Sequence, residues 1–264
     1  MIFPSKPSNS ATLSVILCSV CAILVVSGTA EAQTNSGSSG EESDRSFFSA
    51  DEPAWVFSAA AGIARGPSVL PVTVDLGGPR ALKLDGSMAL SRGNAITVSL
   101  ARQFWGSESD DGERRYPFRL ELEGLRADIP RESIEIGVSS IDLSDDLRVS
   151  GGFANLLVRF LKTEHTRWWI GGGVGFLQQS FPDASRLLPG CGCLNALELD
   201  STLWRPKARI EWITGEADDD DFAVFIEGAY SKLPEISSAS DFKPVTVYDS
   251  WKLWTVTAGI RFRF

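Results

Sequence analysis

The chain has 264 residues, 43% of them hydrophobic and 22% charged, with 24 glycines, 13 prolines and a formal charge of −9. That length allows one large domain or two small ones, and the composition is that of an ordered chain. The acidic balance excludes the basic stripe that a nucleic-acid partner requires, and one histidine with four cysteines leaves little material for metal or nucleophile chemistry.

The first segment reads as an export signal. Lys6 supplies the positive region, Leu13 to Val26 is an apolar run holding Cys18 and Cys21, and Ala30-x-Ala32 is a small-residue cleavage site. The run is shorter than the roughly 20 apolar residues of a membrane-spanning helix. Residues 1–32 are therefore expected to be a cleavable signal peptide, with the mature chain starting at Gln33. Loss of Lys6 and Glu31 leaves the net charge at −9. Residues 33–52 are polar, Ser/Gly-rich and acidic, and read as a flexible periplasmic lead-in. Residues 53–264 carry everything else.

From Pro53 onward alternation dominates. The last strand sets Trp254, Val256, Ala258, Ile260, Phe262 and Phe264 against Thr255, Thr257, Gly259, Arg261 and Arg263. Eight such strands are predicted, at 54–64, 95–105, 117–127, 147–160, 167–179, 201–214, 222–232 and 251–264. Their length suits a tilted strand crossing a bilayer and exceeds the usual 5 to 6 residues of a soluble sheet. Connections alternate: 65–94, 128–146, 180–200 and 233–250 are long, whereas 106–116, 161–166 and 215–221 are shorter. Short turns on one side and long loops on the other is the asymmetry of an outer-membrane barrel. All eight tryptophans (Trp55, Trp105, Trp168, Trp169, Trp204, Trp212, Trp251 and Trp254) lie near predicted strand ends, as expected of aromatic girdles.

The elements FRLELEGL (118–125), WWIGGGVGF (168–176), FAVFIEGAY (222–230) and WTVTAGIRFRF (254–264) resemble the opacity-protein and surface-antigen family of small outer-membrane barrels of Gram-negative bacteria, porin-like in outline. The resemblance implies an all-β fold, an antiparallel up-and-down transmembrane barrel of eight strands. It also implies a cell outer membrane location, outer-membrane lipids as surroundings, and barrel-assembly machinery reading the C-terminal strand that ends at Phe264. In the connection 65–94 the segment Ala81 to Ser91 alternates too, so an extra hairpin and a ten-stranded barrel stay open.

Candidate chemistry is sparse. His165 sits in the predicted turn KTEHT, and a nucleophilic role would need a carboxylate and a hydroxyl within reach. Cys191 and Cys193 lack the further ligands of a zinc site, and read as a strained disulfide or two unlinked thiols. Gly171, Gly173 and Gly175 lie inside a strand, which rules out a nucleotide-binding turn; they would face the lumen and make room for bulky residues opposite. The acidic stretches 107–115 and 216–221 lack calcium-loop spacing and read as solvated turns. No catalytic, cofactor-binding or metal residue is assigned, and no cofactor is expected.

One polar cluster stands out. With the apolar faces toward lipid, Arg119, Glu121, Glu123, Arg159, Arg205, Lys207, Arg209, Glu211, Glu227, Arg261 and Arg263 would point inward or lie near the rims. Buried charges need partners, so an ion-pair network across the lumen is expected. The sequence thus points to a structural or surface-recognition protein acting through long extracellular loops whose ligand it does not name, without catalysis. The alternative is a narrow porin-like channel for small solutes.

Overall fold

A computed structural model describes residues 54–77, 82–104, 117–163, 165–182, 197–213, 222–237 and 245–264. The expected signal peptide and lead-in lie outside these, as do Cys191, Cys193, Trp105 and both acidic stretches. The described strands are β1 (Ala54–Arg65), β2 (Val69–Gly77), β3 (Leu82–Leu90), β4 (Arg92–Phe104), β5 (Phe118–Ile136), β6 (Ser139–Asp142), β7 (Asp146–Lys162), β8 (Thr166–Phe181), β9 (Leu197–Ile213), β10 (Phe222–Leu233), β11 (Ile236–Ser237), β12 (Val245–Tyr248) and β13 (Trp251–Arg263).

Eight of them close a ring. Antiparallel pairing runs β1–β4–β5–β7–β8–β9–β10–β13 and back to β1. Each of the eight predicted strands corresponds to one member of the ring. At the seam, the Trp55 N–H donates to the Phe264 carbonyl at 2.9 Å, and the Phe264 N–H returns a bond to Trp55 at 3.0 Å. Ring closure leaves the wall no open edge.

The polarity of the wall is inverted relative to a water-soluble domain. Arg119, Glu121 and Glu123 of β5 are buried inside, while Leu120 and Leu122 are exposed outside. The outward residues Trp254, Val256, Ile260 and Phe262 of β13, with Phe264 just past its end, are exposed, while Thr255, Thr257 and Arg261 are buried. Ten residue steps from Trp254 to Phe264 cover about 33 Å of strand, or about 25 Å after a tilt of about 40°, the height of a lipid-facing band. Water would leave that continuous apolar belt unstable, so its solvent is hydrocarbon.

The extra hairpin exists, but it does not enlarge the ring. β2 and β3 pair with each other, β3 pairs with the far end of β5, and β12 adds to β2. The reason lies in β5, whose 19 residues outrun the wall. Its Phe118–Pro130 stretch pairs with β7, and beyond a bulge at Ala89/Leu90 the remainder pairs with β3 and β6. The long connections expected as loops therefore contain a second sheet, β11-β12-β2-β3-β5, with β6 on β5.

That sheet caps the loop end of the barrel. Leu70, Val72, Val74, Met88, Ile134 and Ile136 share one core with the inward Leu125, Ile129, Leu147, Val149, Leu177 and Phe181 of the wall strands. The aromatic girdle accordingly loses two members. Trp169 and Trp251 are buried inside the barrel, because each falls on the inward phase of its strand. Trp204, Trp212 and Trp254 face outward and are exposed.

Tyr248 of β12 is buried in the cap and stacks on Phe181, ring centroids 4.3 Å apart. Burial pushes its hydroxyl up to about 12, against an opposing effect of Arg131. A raised value on an acid means that the stabilising contribution is complete below the unfolded value of about 10 and is lost as pH rises through the folded one. Absorbance titration at the phenolate band should therefore show a component ionising near pH 12. Tyr248→Phe should remove it; survival of that component in the variant would place another tyrosine there.

Candidate functional site

The lumen is where the polar side chains converge, and β5 and β9 build most of it. Their inward phases carry Arg119, Glu121 and Glu123 on one side and Arg205, Lys207, Arg209 and Glu211 on the other. The two strands are not neighbours in the ring, so these side chains meet across the interior.

The network has two levels. Toward the short turns, Arg119 donates to Glu211 at 2.7 Å and to the Gln103 side-chain oxygen at 3.0 Å. Its guanidinium lies over the Trp169 ring, 4.1 Å from the centroid, and Arg261 approaches Glu211 at 3.6 Å. In the middle, Lys207 is held by three carboxylates: Glu121 and Glu123 at 2.5 Å and Glu227 at 2.9 Å. Arg209 bridges Glu121 at 2.9 Å and Glu227 at 2.6 Å, and Arg205 pairs with Glu123 and donates to Thr255 at 3.0 Å. The Asn155 amide donates to both Glu121 and Glu123, at 3.1 and 3.0 Å, while the Ser99 hydroxyl reaches Glu121 at 3.2 Å. Charges this deeply removed from water persist only when each is paired; every cation named here has a carboxylate partner, while Arg119 Nε and Arg209 Nη1 are buried without a described hydrogen-bond partner.

Above this level the inward phase turns apolar. Leu125, Leu177, Leu203 and Leu253 follow on the loop side of the charges, then the Trp251 indole N–H donates to Gln179 at 3.0 Å, and these residues join one core with Leu147 and the second sheet. The expectation of a polar interior holds for the turn-side half and fails for the loop-side half. The physical reason is the cap, which gives inward residues at that end an apolar partner instead of water.

Of the sequence-predicted cluster, Arg119, Glu121, Glu123, Arg205, Lys207, Arg209, Glu211, Glu227 and Arg261 are buried in the lumen. Arg159 and Arg263 are half-buried toward the short-turn rim. Arg167, Gln103, Asn155 and Gln179 also belong to the buried set, and sequence reading missed them. Their signal was phase alone: Arg167 precedes Trp169 and Gly171 on the inward face of β8.

The glycines of β8 have a different neighbour from the one expected. A Cβ on Gly171 would lie 1.9 Å from the Leu156 carbonyl oxygen, and one on Gly173 would lie 2.2 Å from that of Ala154. These residues are small because the adjacent strand β7 approaches so closely, rather than because of bulk across the lumen. His165 lies in the turn as predicted, its carbonyl accepting from the Ile213 N–H at 3.0 Å. Among the described residues no group of His, Cys, Asp and Glu has metal-holding geometry.

No family model matches the chain, and no curated protein is detectably similar in sequence. Among solved structures, the chain is similar to the attachment invasion locus protein Ail of Yersinia pestis, at 13% identity and a TM-score of 0.35, over 80% of this chain and 99% of that one. It is similar to outer membrane protein AlkL at 12% identity and a TM-score of 0.41, over 88% and 97%. It is also similar to the outer membrane protease OmpT of Escherichia coli at 11% identity and a TM-score of 0.36, over 82% and 98%. Likenesses this distant carry no argument about activity; the fold assignment rests on the closed ring and its inverted polarity.

Removing one member of a desolvated pair leaves its partner uncompensated, at a cost of about 3 to 5 kcal/mol. Glu121→Ala, which strips contacts from Lys207, Arg209, Asn155 and Ser99 together, should lower the temperature at which the folded electrophoretic band converts to the unfolded one. An unchanged conversion temperature would mean that this carboxylate is hydrated.

Proposed function

We propose that the protein is a non-conducting outer-membrane β-barrel of a Gram-negative envelope, with a structural or surface-recognition role carried by its loop-end sheet. The observation that carries this reading is the filled interior. A transmembrane solute path would have to pass the interlocked Glu121–Lys207–Glu227–Arg209 level and then the Leu125–Leu177–Leu253 level. Eight strands enclose an interior just wide enough for side chains, and here the side chains occupy it. A catalytic role finds no support, because His165 lies in a turn and the lumen carboxylates are committed to cations.

The proposed orientation places the short turns and both ends of the wall in the periplasm and the cap outside the cell. Loop-end sheets vary without destroying the barrel that holds them, which suits recognition. The exposed Phe264, 70% accessible at the end of the seam, supports recognition of the last strand by the assembly machinery.

Planar-bilayer recording should show no conductance steps from the purified, inserted protein; regular steps would favour the narrow channel. On whole cells, in a chain with Cys191 and Cys193 replaced by Ser, an impermeant thiol reagent should label Ser139→Cys in the cap and spare Thr163→Cys in the short turn, and the opposite pattern would invert the orientation. Phe264→Ser should slow assembly yet leave the closed barrel nearly as heat-resistant, since the ring points outward; an equally fast assembly would remove this residue from the signal.

A further inference from the structure

At the loop-end edge of the apolar band, the outer wall carries a row of cations on four adjacent strands. Lys232 of β10 stands directly opposite Lys252 of β13, and Arg65 of β1 directly opposite Arg92 of β4. All four side chains are exposed. Like charges placed directly across a strand pair repel. None of the four forms an ion pair with a described carboxylate, although Glu235 and Asp249 lie nearby in the chain. The next two strands of the ring resolve the same problem internally: Arg126 of β5 and Arg148 of β7 each hold Asp128 at 3.0 Å.

The row adjoins two further features. One pleat closer to the band, Tyr230 and Trp254 pack with ring centroids 4.7 Å apart, and such rings settle at the headgroup level of a bilayer. Beside them opens a groove of about 640 Å³, with Ile63, Val69, Trp254 and Val256 supplying apolar walls and Arg65 and Lys252 its charged lip. That is the size range of a small-ligand cleft.

We propose that this groove binds a phosphate-bearing lipid of the loop-end leaflet, with an acyl chain against Ile63, Val69 and Val256 and the phosphate between Arg65 and Lys252. The amphipathic order of the site, apolar wall then aromatic pair then cations, matches the order of chain, headgroup and phosphate along a lipid. Lys232 and Arg92 extend the cationic row to either side, so that repulsion within each opposed pair is relieved when the anion is seated.

The inference rests on the barrel's lying in a bilayer. The test uses the full mature chain inserted into vesicles of phosphatidylcholine containing a minor fraction of phosphatidic acid, followed by native mass spectrometry of lipids retained on release. Phosphatidic acid should be retained in preference to phosphatidylcholine. Each of Arg65→Gln and Lys252→Gln should reduce that preference about fivefold, and the double variant further. Arg148→Gln, on β7 across the ring from β13, should leave it unchanged. The side chains replaced point outward, and the conversion temperature of the folded band checks that the ring still closes. Equal retention of both lipids, or an unaltered preference in the double variant, would overturn the site. Displacement of the retained lipid by excess inorganic phosphate would overturn it as a lipid site, showing a free-anion site instead. Absence of every lipid adduct, together with failure to insert, would instead refute the membrane reading itself.

Discussion

A backbone amide in hydrocarbon has no water to turn to, and each unpaired donor or acceptor costs several kcal/mol there. For a strand-based wall that requirement is met by closing the ring, and in this chain closure falls on the pairing of β1 with β13. Ten residue pairs, from Val56–Arg263 to Arg65–Trp254, join the first and last wall strands, with the reciprocal Trp55–Phe264 bonds finishing the seam. The remaining features follow from a closed wall with lipid outside. Its outer face must be apolar, and its inner face is left to be filled by the chain's own side chains.

The filling is divided because the two ends of the barrel have different neighbours. At the turn side the interior is held by paired charges: three carboxylates around Lys207, three around Arg209, and the buried aromatic faces of Trp169 and Phe225 against Arg119 and Arg209. At the loop side β5 continues past the wall and recruits β3 and β6, which brings the apolar face of the second sheet over the opening. Inward leucines there join a core that spans wall and cap. The charge network gives directional specificity to the turn-side interior, and the apolar layer ties the loop-side interior to the second sheet.

Much of this was legible in the chain because a strand announces its two faces by alternation. Trp254 to Phe264 gives both the lipid face and the inward Arg261, and Phe118 to Glu123 does the same for β5. Two kinds of feature were not. Trp169 and Trp251 sit near strand ends, as girdle residues do, yet proximity to an end says nothing about phase; the inward phase sends Trp169 under Arg119 and Trp251 to Gln179. The second sheet was equally hidden. Alternation in Ala81 to Ser91 revealed a strand, but a ten-stranded wall and a cap hairpin share one pattern, and the difference is which edge it joins.

The sequence by itself determined the local quantities: where strands run, which residues share a face, and that one face is apolar enough to require lipid. These are consequences of the two-residue period of an extended chain and need no knowledge of what lies opposite. Tertiary structure alone decided the number of strands in the ring, the pairing of Lys207 with Glu121, Glu123 and Glu227, the apolar layer beneath the second sheet and the cation row of Lys232, Lys252, Arg65 and Arg92. Each of those depends on register and closure between segments far apart in the chain, where a shift of one residue exchanges the lumen for the lipid face.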